Sequence, residues 1–385
     1  MRINIALKNM LHSRLRTLLS LAGVMLAVVL IFMQLGFLGA VQNTATLVFD
    51  RMPFDVMLRS PDYLHLCDAR FIARDRLTAV ASLPEVEGVE AFHVMLNNWQ
   101  NPQTGEGRAI IVMGAGKDRP PLNVPELQAK TERLETPVDL LIDRKTRADY
   151  GPRDGRQFGE QDVGLETDIG GQRVRVAGTF ELGTGLAANG AVFTSEAGFG
   201  RVSFYDPRTH ASLGLVTLRR GVSPRQFIAS LQPLLADGAM VALTRREVNQ
   251  LELQRWIYDT PVGRIFQMGV ALAFLVGATI VYMVLSTDVT NRLKEYATLS
   301  AMGYSPRYLS GVVMQQALLL AGVSYVPAWW IAEGLYRLTS WLTNLPISMN
   351  TPRLGMVLVM TVAMCVISGV LALRKLRKVD PAELF

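Results

Sequence analysis

Residues 265–287, IFQMGVALAFLVGATIVYMVLST, form an apolar run without a charged residue. A helix needs about 20 predominantly apolar residues to cross the hydrocarbon core of a bilayer. Three further runs of similar length are also uncharged, at residues 18–41, 308–332 and 354–373. The sequence therefore predicts four transmembrane helices.

The composition agrees with membrane spans that alternate with a polar domain. Of the 385 residues, 50% are hydrophobic and 19% are charged, with a formal net charge of +6. The basic residues cluster beside the apolar runs, a pattern typical of membrane topology, so no nucleic-acid partner is expected. Cys67 and Cys365 are not expected to pair, because Cys365 lies inside an apolar run.

The first apolar run follows a basic start and has two interpretations, a cleaved signal peptide or a retained anchor. Its apolar part is long for a signal peptide, and no clear small-x-small cleavage site follows it. We favour the retained anchor.

The basic residues also predict the orientation, because cytoplasmic segments of membrane proteins are rich in Lys and Arg. They lie before the first run, between the second and third runs and after the fourth run, at Arg2, Lys8, Arg14, Arg16, Arg292, Lys294, Arg307, Arg374, Lys375, Arg377 and Lys378. Both termini and the segment between runs two and three are therefore expected in the cytoplasm. The long segment after the first run is expected outside it.

The long segment has the pattern of a folded α+β domain. Predicted strands lie at residues 55–59, 86–96, 108–114, 213–218 and 240–243, and predicted helices at 71–83 and 223–235, the latter with Ser223 as N-cap and Pro224 at its first position. The order β-α-β-β followed by β-α-β is that of a split ferredoxin-like unit. Residues 117–210, rich in Gly and Pro, are predicted to form an inserted, mostly β subdomain.

Together these patterns predict an α+β membrane protein with four transmembrane helices and a large extracytoplasmic α+β domain between helices 1 and 2. The predicted parts are a cytoplasmic segment (1–17), helix 1 (18–41), the extracytoplasmic domain (42–263), helix 2 (265–287), a cytoplasmic loop (288–307), helix 3 (308–332), a short extracytoplasmic loop (333–353), helix 4 (354–373) and a cytoplasmic tail (374–385). Residues 244–259 are predicted to form a polar helix that leads straight into helix 2. That helix either transmits motion or is a passive stalk.

The cytoplasmic loop contains an amphipathic pattern in residues 288–306, DVTNRLKEYATLSAMGYSP. Apolar residues recur every three positions at Leu293, Tyr296, Leu299 and Met302, and charged residues lie between them at Arg292, Lys294 and Glu295. This spacing predicts a short helix that Gly303 caps and Pro306 prevents from continuing. Its apolar face would contact a partner protein or lie on lipid headgroups.

The sequence shows no catalytic or metal-binding constellation. The histidines, His12, His65, His93 and His210, lack metal-ligand spacing, and Ser195 is not in a nucleophile elbow. Residues 114–118, GAGKD, lack the spacing and the Ser/Thr of a phosphate-binding loop. No ionisable residue lies at mid-depth of a span, and Gln34, Gln315 and Gln316 are expected to pack between helices. We therefore expect a non-catalytic chain without a cofactor or metal, and any ATPase on another chain.

Several segments resemble the permeases of the MacB/FtsX/LolC group of ABC systems. The segment RLKEYATLSAMG (292–303) is similar to the cytoplasmic motif of that group, and ALRKLRKVDPAELF (372–385) is similar to its C-terminal ending. Within the group, FMQLGF (32–37), TPVGRIF (260–266) and EYATLSAMGY (295–304) resemble the DevC-like branch. The resemblance covers nearly the whole chain.

The resemblance implies a half-transporter that forms a homodimer in the bacterial inner membrane. It also implies a separate cytoplasmic ABC ATPase that carries ATP and Mg, an extracytoplasmic membrane-fusion protein and an outer-membrane duct. The exported substrate would be lipid-like or amphiphilic. The residues expected to dock on the ATPase are Arg292, Glu295, Tyr296, Leu299, Met302 and Gly303.

Two other functions remain open within the same group. An FtsX-like regulator would relay ATP hydrolysis to an extracytoplasmic cell-wall hydrolase. A lipoprotein-releasing permease would pass its cargo to a soluble carrier. The three functions differ in the protein that binds the extracytoplasmic domain.

Overall fold

The computed structural model of the protein describes residues 14–116, 121–152, 155–183, 189–291, 302, 306–343 and 345–376. The chain divides into two compact units, a membrane unit (Met1–Val41 and Ile257–Phe385) and an interhelical domain (Gln42–Trp256). The described α-helices are α1 (Arg14–Asp50), α2 (Arg74–Ala81), α3 (Pro125–Lys130), α4 (Glu196–Val202), α5 (Pro224–Ser230), α6 (Gln232–Leu235), α7 (Arg245–Gln254), α8 (Pro261–Asn291), α9 (Pro306–Thr343) and α10 (Thr351–Leu376). The described strands are β1 (Val56–Arg59), β2 (Ile72–Ala73), β3 (Val86–Gln100), β4 (Gly107–Ala115), β5 (Asp139–Asp143), β6 (Glu166–Ile169), β7 (Gln172–Phe180), β8 (Ala191–Ser195), β9 (His210–Ala211), β10 (Leu213–Leu218) and β11 (Val241–Thr244).

Among the described residues, four helices are long and apolar enough to cross a membrane. Their candidate spans are Leu18–Asp50, Pro261–Asn291, Ser310–Thr343 and Thr351–Arg374. Each exceeds the roughly 20 residues that a bilayer requires. The protein is a multi-pass membrane protein.

Small residues let the helices of the membrane unit approach closely. A Cβ at Gly277 of α8 would collide with Met364 of α10 and lie 2.8 Å from the Cβ of Ala27 in α1. The Ser368 hydroxyl of α10 donates to the Ala278 carbonyl of α8 over 2.7 Å. Without a hydrophobic driving force in lipid, such close packing and interhelical hydrogen bonds hold the bundle together.

The interhelical domain contains a ferredoxin-like unit, as the sequence pattern predicted. Among the described residues, nine strands form one sheet in the order β11-β1-β10-β3-β4-β8-β5-β7-β6. Its first four strands are antiparallel and have the order of a βαββαβ unit. Leu77 of α2 and Phe227 of α5 are buried in one cluster with Val56 and Leu58 of β1. The two helices therefore cover one face of these strands.

The inserted region extends the same sheet. Strand β3 is 15 residues long; its first half pairs with β10 and its second half pairs with β4. Strand β4, which the sequence pattern grouped with the first half of the ferredoxin-like unit, therefore begins the excursion. Beyond it lie β8 and β5, and then β7 and β6. The length of β3 allows one sheet to serve both the ferredoxin-like unit and the insertion.

Two predicted helices of the domain are shorter than their apolar patterns suggested. Ile72 and Ala73 form strand β2, which pairs with β9, so the helix starts at Arg74. The predicted helix at 223–235 divides into α5 and α6, because Pro233 has no N–H to continue the ladder. Ser223 occupies the N-cap position of α5, but its side chain makes no capping hydrogen bond.

Candidate functional site

The predicted ATPase-contacting loop lies mostly outside the described residues. This applies to Arg292, Glu295, Tyr296, Leu299 and Gly303. Met302 is described as part of a turn, and its side chain is 63% exposed. The amphipathic helix in this loop therefore stays a prediction.

The helices on either side of this loop are tied together. Helix α8 continues to Asn291, so Asp288 is helical, although the sequence analysis placed it in the loop. Asp288 is buried, and its carboxylate accepts a hydrogen bond of 2.7 Å from the Gln316 side chain of α9. The packing role predicted for Gln316 is confirmed. The sequence analysis placed Asp288 in the loop because a carboxylate usually marks the end of an apolar run. Its partner Gln316 lies 28 positions away and could not be recognised from the local pattern.

Helix α7 is capped at its start by Thr244 and Glu247. The Thr244 hydroxyl accepts from the Glu247 N–H, and the Glu247 carboxylate accepts from the Thr244 N–H at 2.8 Å. This reciprocal arrangement is a capping box, which satisfies two N–H groups that a helix end leaves free. The capping box fixes where α7 begins.

The helical segment from 244 does not lead straight into the second span, which corrects the sequence-based prediction. After α7 the residues Arg255–Asp259 form a π-helical turn, and Thr260 is a bend. The physical reason is Pro261, which lacks an N–H and disfavours helical backbone at the residue before it. Helix α8 starts afresh at Pro261.

The bend is fixed by contacts within the membrane unit. The backbone at Gly263 lies so close to the Ile257 carbonyl that a Cβ would collide with it. The Arg264 guanidinium donates to the Tyr258 carbonyl at 2.7 Å, and the Gln267 amide donates to the Ile257 carbonyl at 3.3 Å. These bonds occupy carbonyls of the π-helical turn, so the bend is a built feature of the chain.

Arg245 clamps the start of α7 to the end of α1 inside the interhelical domain. Its guanidinium donates to the carbonyls of Phe49 (3.2 Å), Phe54 (3.0 Å) and Met52. It also lies 4.4 Å from the centroid of the Phe54 ring. Helix C-termini leave carbonyls without intrahelical partners, and a cation is the favoured group beside them.

A second bond joins the same two segments. The Asn249 amide of α7 donates to the Asp50 carboxylate of α1 at 3.1 Å. The two chain segments that enter and leave the interhelical domain are therefore joined by polar contacts. The local sequence does not predict these contacts, because a hydrogen bond to a backbone carbonyl does not depend on a particular residue type at the accepting position.

The buried pair of Tyr63 and Glu252 joins α7 to the loop that follows β1. The Tyr63 hydroxyl donates to the Glu252 carboxylate over 2.5 Å, and Glu252 is only 2% exposed. The Arg59 guanidinium lies 4.2 Å from the centroid of the Tyr63 ring. Burial raises the pKa of Glu252 and also that of Tyr63. The carboxyl group is therefore held in a site that favours its neutral form.

Comparison with known proteins identifies the membrane unit. The family described as FtsX-like permease C-terminal matches residues 268–381. Residues 268–381 are therefore similar to the C-terminal domain of FtsX-like permeases. This agrees with the resemblance found in the sequence at the level of the group, while the narrower DevC-like branch stays a prediction.

Proteins similar to this chain include two from two strains of Mycobacterium tuberculosis, each described as an uncharacterized ABC transporter permease. Each is 25% identical over 232 residues, which cover 58% of this chain. The match spans 58% of the length of these curated relatives.

Solved structures similar to this chain include a periplasmic region and an extracellular domain. The periplasmic region of MacB from Actinobacillus actinomycetemcomitans has a TM-score of 0.35 at 7% identity, over 53% of this chain and 94% of that structure. The extracellular domain of the noncanonic ABC-type transporter YknZ from Gram-positive bacteria has a TM-score of 0.34 at 15% identity, over 50% and 99%.

Two glutamates of α7 are expected to give the protein opposite pH dependences of stability. Burial raises the pKa of Glu252, so its stabilising contribution is present below the unfolded pKa of about 4.3 and is lost as the pH rises through the higher folded pKa. Hydrogen bonds from Thr244 lower the pKa of Glu247, so its contribution is present above the unfolded pKa and is lost as the pH falls through the lower folded pKa. Glu252→Gln should therefore gain stability relative to wild type as the pH rises above about 4.3, whereas Glu247→Gln should lose stability relative to wild type as the pH rises towards about 4.3.

Thermal unfolding of both variants against wild type measures these slopes, with about 2–4 °C expected for each kcal/mol. Each variant serves as the control for the other, because both remove one carboxylate from the same helix. Parallel pH profiles for the two variants would contradict the opposite pKa shifts of Glu252 and Glu247.

Proposed function

We propose that this chain is the permease subunit of an ABC exporter. A separate cytoplasmic ATPase would hydrolyse ATP with Mg, and the permease would relay its closure to the interhelical domain. With a membrane-fusion protein and an outer-membrane duct, this movement would drive export of a lipid-like or amphiphilic substrate. The observation that carries the proposal is the FtsX-like permease match over residues 268–381, in a chain with four spans and a large domain after the first.

The proposal includes the arrangement in the cell. The chain would form a homodimer in the bacterial inner membrane, with both termini in the cytoplasm and the interhelical domain in the periplasm. The clustering of Lys and Arg beside alternate ends of the spans supports this orientation.

The coupling element in this proposal is the segment between α8 and α9. Tyr296, Leu299 and Met302 would seat in a groove of the ATPase, while Arg292 and Glu295 set the register through charges at the rim. The bond between Asp288 and Gln316 supports this role, because it ties the two helices that flank the segment. A displacement of the segment would then act on both helices at once.

The relay to the interhelical domain would pass through α7 and the end of α1. The capped start of α7, the Arg245 clamp and the Tyr63–Glu252 bond make this part of the domain a stiff unit. A stiff unit transmits displacement, whereas a loosely held one absorbs it. These contacts favour a mechanical role for α7 over a passive stalk.

Glu295→Arg is expected to uncouple the ATPase from the permease. Reversing a rim charge places like charges together, and we expect affinity for the ATPase to fall at least about tenfold. The measurement is affinity purification of the tagged chain from mild-detergent membranes, with recovered ABC ATPase quantified by mass spectrometry and ATP hydrolysis assayed in the eluate.

The matched control is Glu333→Arg, a charge reversal on α9, where Glu333 pairs only with Arg337 of its own helix among the described residues. This variant should recover the ATPase as wild type does. Equal recovery with Glu295→Arg and wild type would contradict the coupling role. Recovery of a cell-wall hydrolase in place of a membrane-fusion protein would replace export by the FtsX-like regulatory function.

A further inference from the structure

The segment between β1 and β2 is a tightly built loop. The Tyr63 N–H donates to the Ser60 carbonyl, and the Asp68 N–H donates to the His65 carbonyl at 2.8 Å. Arg70 has a φ of 57°, and no other non-glycine residue among those described has a positive φ. Non-glycine residues in this conformation cluster at functional sites. The loop is thus shaped by its own hydrogen bonds and carries one backbone outlier.

This loop and Arg255, at the start of the π-helical turn, line an open cavity of about 810 Å³. Leu64 and Phe71 line it and are 39% and 43% exposed. The charged residues of the lining are Arg70, Arg255 and the exposed Asp62. Apolar and cationic groups therefore face one space, which is the pattern of a site for a ligand with two kinds of surface.

Only one of the two arginines that line the cavity forms an ion pair with a described residue. Arg70 pairs with Asp68 at 3.1 Å, whereas Arg255 has no such pair among the described residues. The buried Glu252 carboxyl acts on the charge of Arg255 but is hydrogen-bonded to the Tyr63 hydroxyl. An anionic group in the cavity would give Arg255 a direct partner.

Apolar surface continues beyond the cavity. The Phe71 ring stacks on Tyr205 with centroids 5.5 Å apart, and Tyr205 contacts the ring of Phe204, which is 77% exposed. The Tyr205 hydroxyl bonds to Ser212 at 2.8 Å, which fixes the ring. Contiguous exposed apolar surface with a polar rim marks binding sites in folded domains.

We propose that this cavity binds an anionic amphiphile, with its phosphate or carboxylate head at Arg255 and Arg70 and its apolar chain over Leu64 and Phe71. Guanidinium groups bind such heads through paired, charge-assisted hydrogen bonds. The biological meaning of the site, a contact for the exported substrate, rests on the proposed function. The binding itself does not.

The test uses the full chain in a neutral maltoside detergent, without any ATPase, and thermophoresis with dodecyl phosphate as the probe. We expect saturable binding of dodecyl phosphate and at least about tenfold weaker binding of inorganic phosphate. Arg255→Gln and Phe71→Ser should each weaken binding of dodecyl phosphate at least about tenfold. Phe71 is exposed, so its variant probes the site without disturbing the core.

The matched control is Arg246→Gln, which removes one positive charge from an exposed side chain of α7 outside the lining of the cavity. It changes the net charge of the protein, and so the general attraction of an anionic probe, as Arg255→Gln does. It should bind dodecyl phosphate as wild type does. Absence of saturable binding, or equal weakening by Arg246→Gln and Arg255→Gln, would overturn the proposal. Equal affinity for inorganic phosphate would overturn the amphiphile and leave a site for a free anion. Because no ATPase is present, none of these outcomes depends on the exporter function.

Discussion

Replacing Arg245 with glutamine is expected to destabilise the interhelical domain by about 2–4 kcal/mol. The guanidinium donates to three carbonyls around the end of α1 and stacks on Phe54. Hydrogen bonds that involve a charged group contribute about 1.5–3 kcal/mol, and a cation–π contact adds about 0.5–1 kcal/mol. A glutamine reaches fewer carbonyls and carries no charge, so part of the carbonyl cluster would lose its partner.

Calorimetric or fluorimetric unfolding of the full chain measures this effect, and the transition of the domain should move down by about 4–16 °C, at about 2–4 °C for each kcal/mol. Arg246→Gln is the control, because it removes the same charge one position later from an exposed side chain without a hydrogen bond or ion pair to a described residue. The two variants have the same net charge and the same helix position within one residue. Equal transitions would mean that the Arg245 contacts contribute nothing to the fold.

The clamp also has a consequence for function. If displacement passes from the membrane helices through the end of α1 and through α7, loosening the bond between these segments should reduce ATP-driven export more than it reduces the amount of folded protein. Arg245→Lys tests this, because it keeps the cation but loses the planar fork that reaches several carbonyls.

The sequence was informative where a local pattern determines the structure. Alternation predicted the strands that form the ferredoxin-like unit, and Leu213–Leu218 has the bounds that its pattern indicated. The apolar runs predicted the four membrane helices, since length and hydropathy alone decide which helices suit a bilayer.

Long-range contacts were beyond the reach of such patterns. Glu252 and Tyr63 are 189 positions apart, and Arg245 and Phe49 are 196 apart. In each case a polar residue on a predicted helix looks like a solvated surface residue until its partner is known. The bend before α8 differs, because Pro261 is a local indication of a break in the helix. The apolar run that follows favoured a continuous helix instead.

The residues predicted to contact an ATPase differ from these cases, because the prediction concerns a contact with another chain. Arg292, Glu295, Tyr296, Leu299 and Gly303 rest on helical spacing and on resemblance, without a described contact. Their partner would be another chain, so the fold of this chain does not by itself require their side chains. The Asp288–Gln316 bond beside them, in contrast, is part of the described packing.

Gly36→Leu is expected to disrupt the membrane unit. A Cβ at Gly36 would lie 2.5 Å from Cζ and 2.6 Å from the hydroxyl oxygen of Tyr336. The Tyr336 ring is buried, its hydroxyl donates to the Phe32 carbonyl, and the Arg353 guanidinium lies 5.6 Å from its centroid. Overpacking of this kind typically costs about 1–3 kcal/mol, and displacing the ring would also break its hydrogen bond to Phe32.

The yield of monodisperse protein in detergent and its unfolding temperature should both fall in Gly36→Leu. Gly334→Leu is the control, because Gly334 lies on the same helix as Tyr336 and a Cβ there meets nothing within 4 Å. Tyr336→Ala tests the mechanism, since it removes the ring that the leucine strikes. If the clash is the cause, the double variant Gly36→Leu with Tyr336→Ala should be more stable than the sum of the single losses predicts. Strict additivity would show that Gly36 is needed for a reason other than the close approach of Tyr336, because two residues that compete for the same space cannot contribute independently.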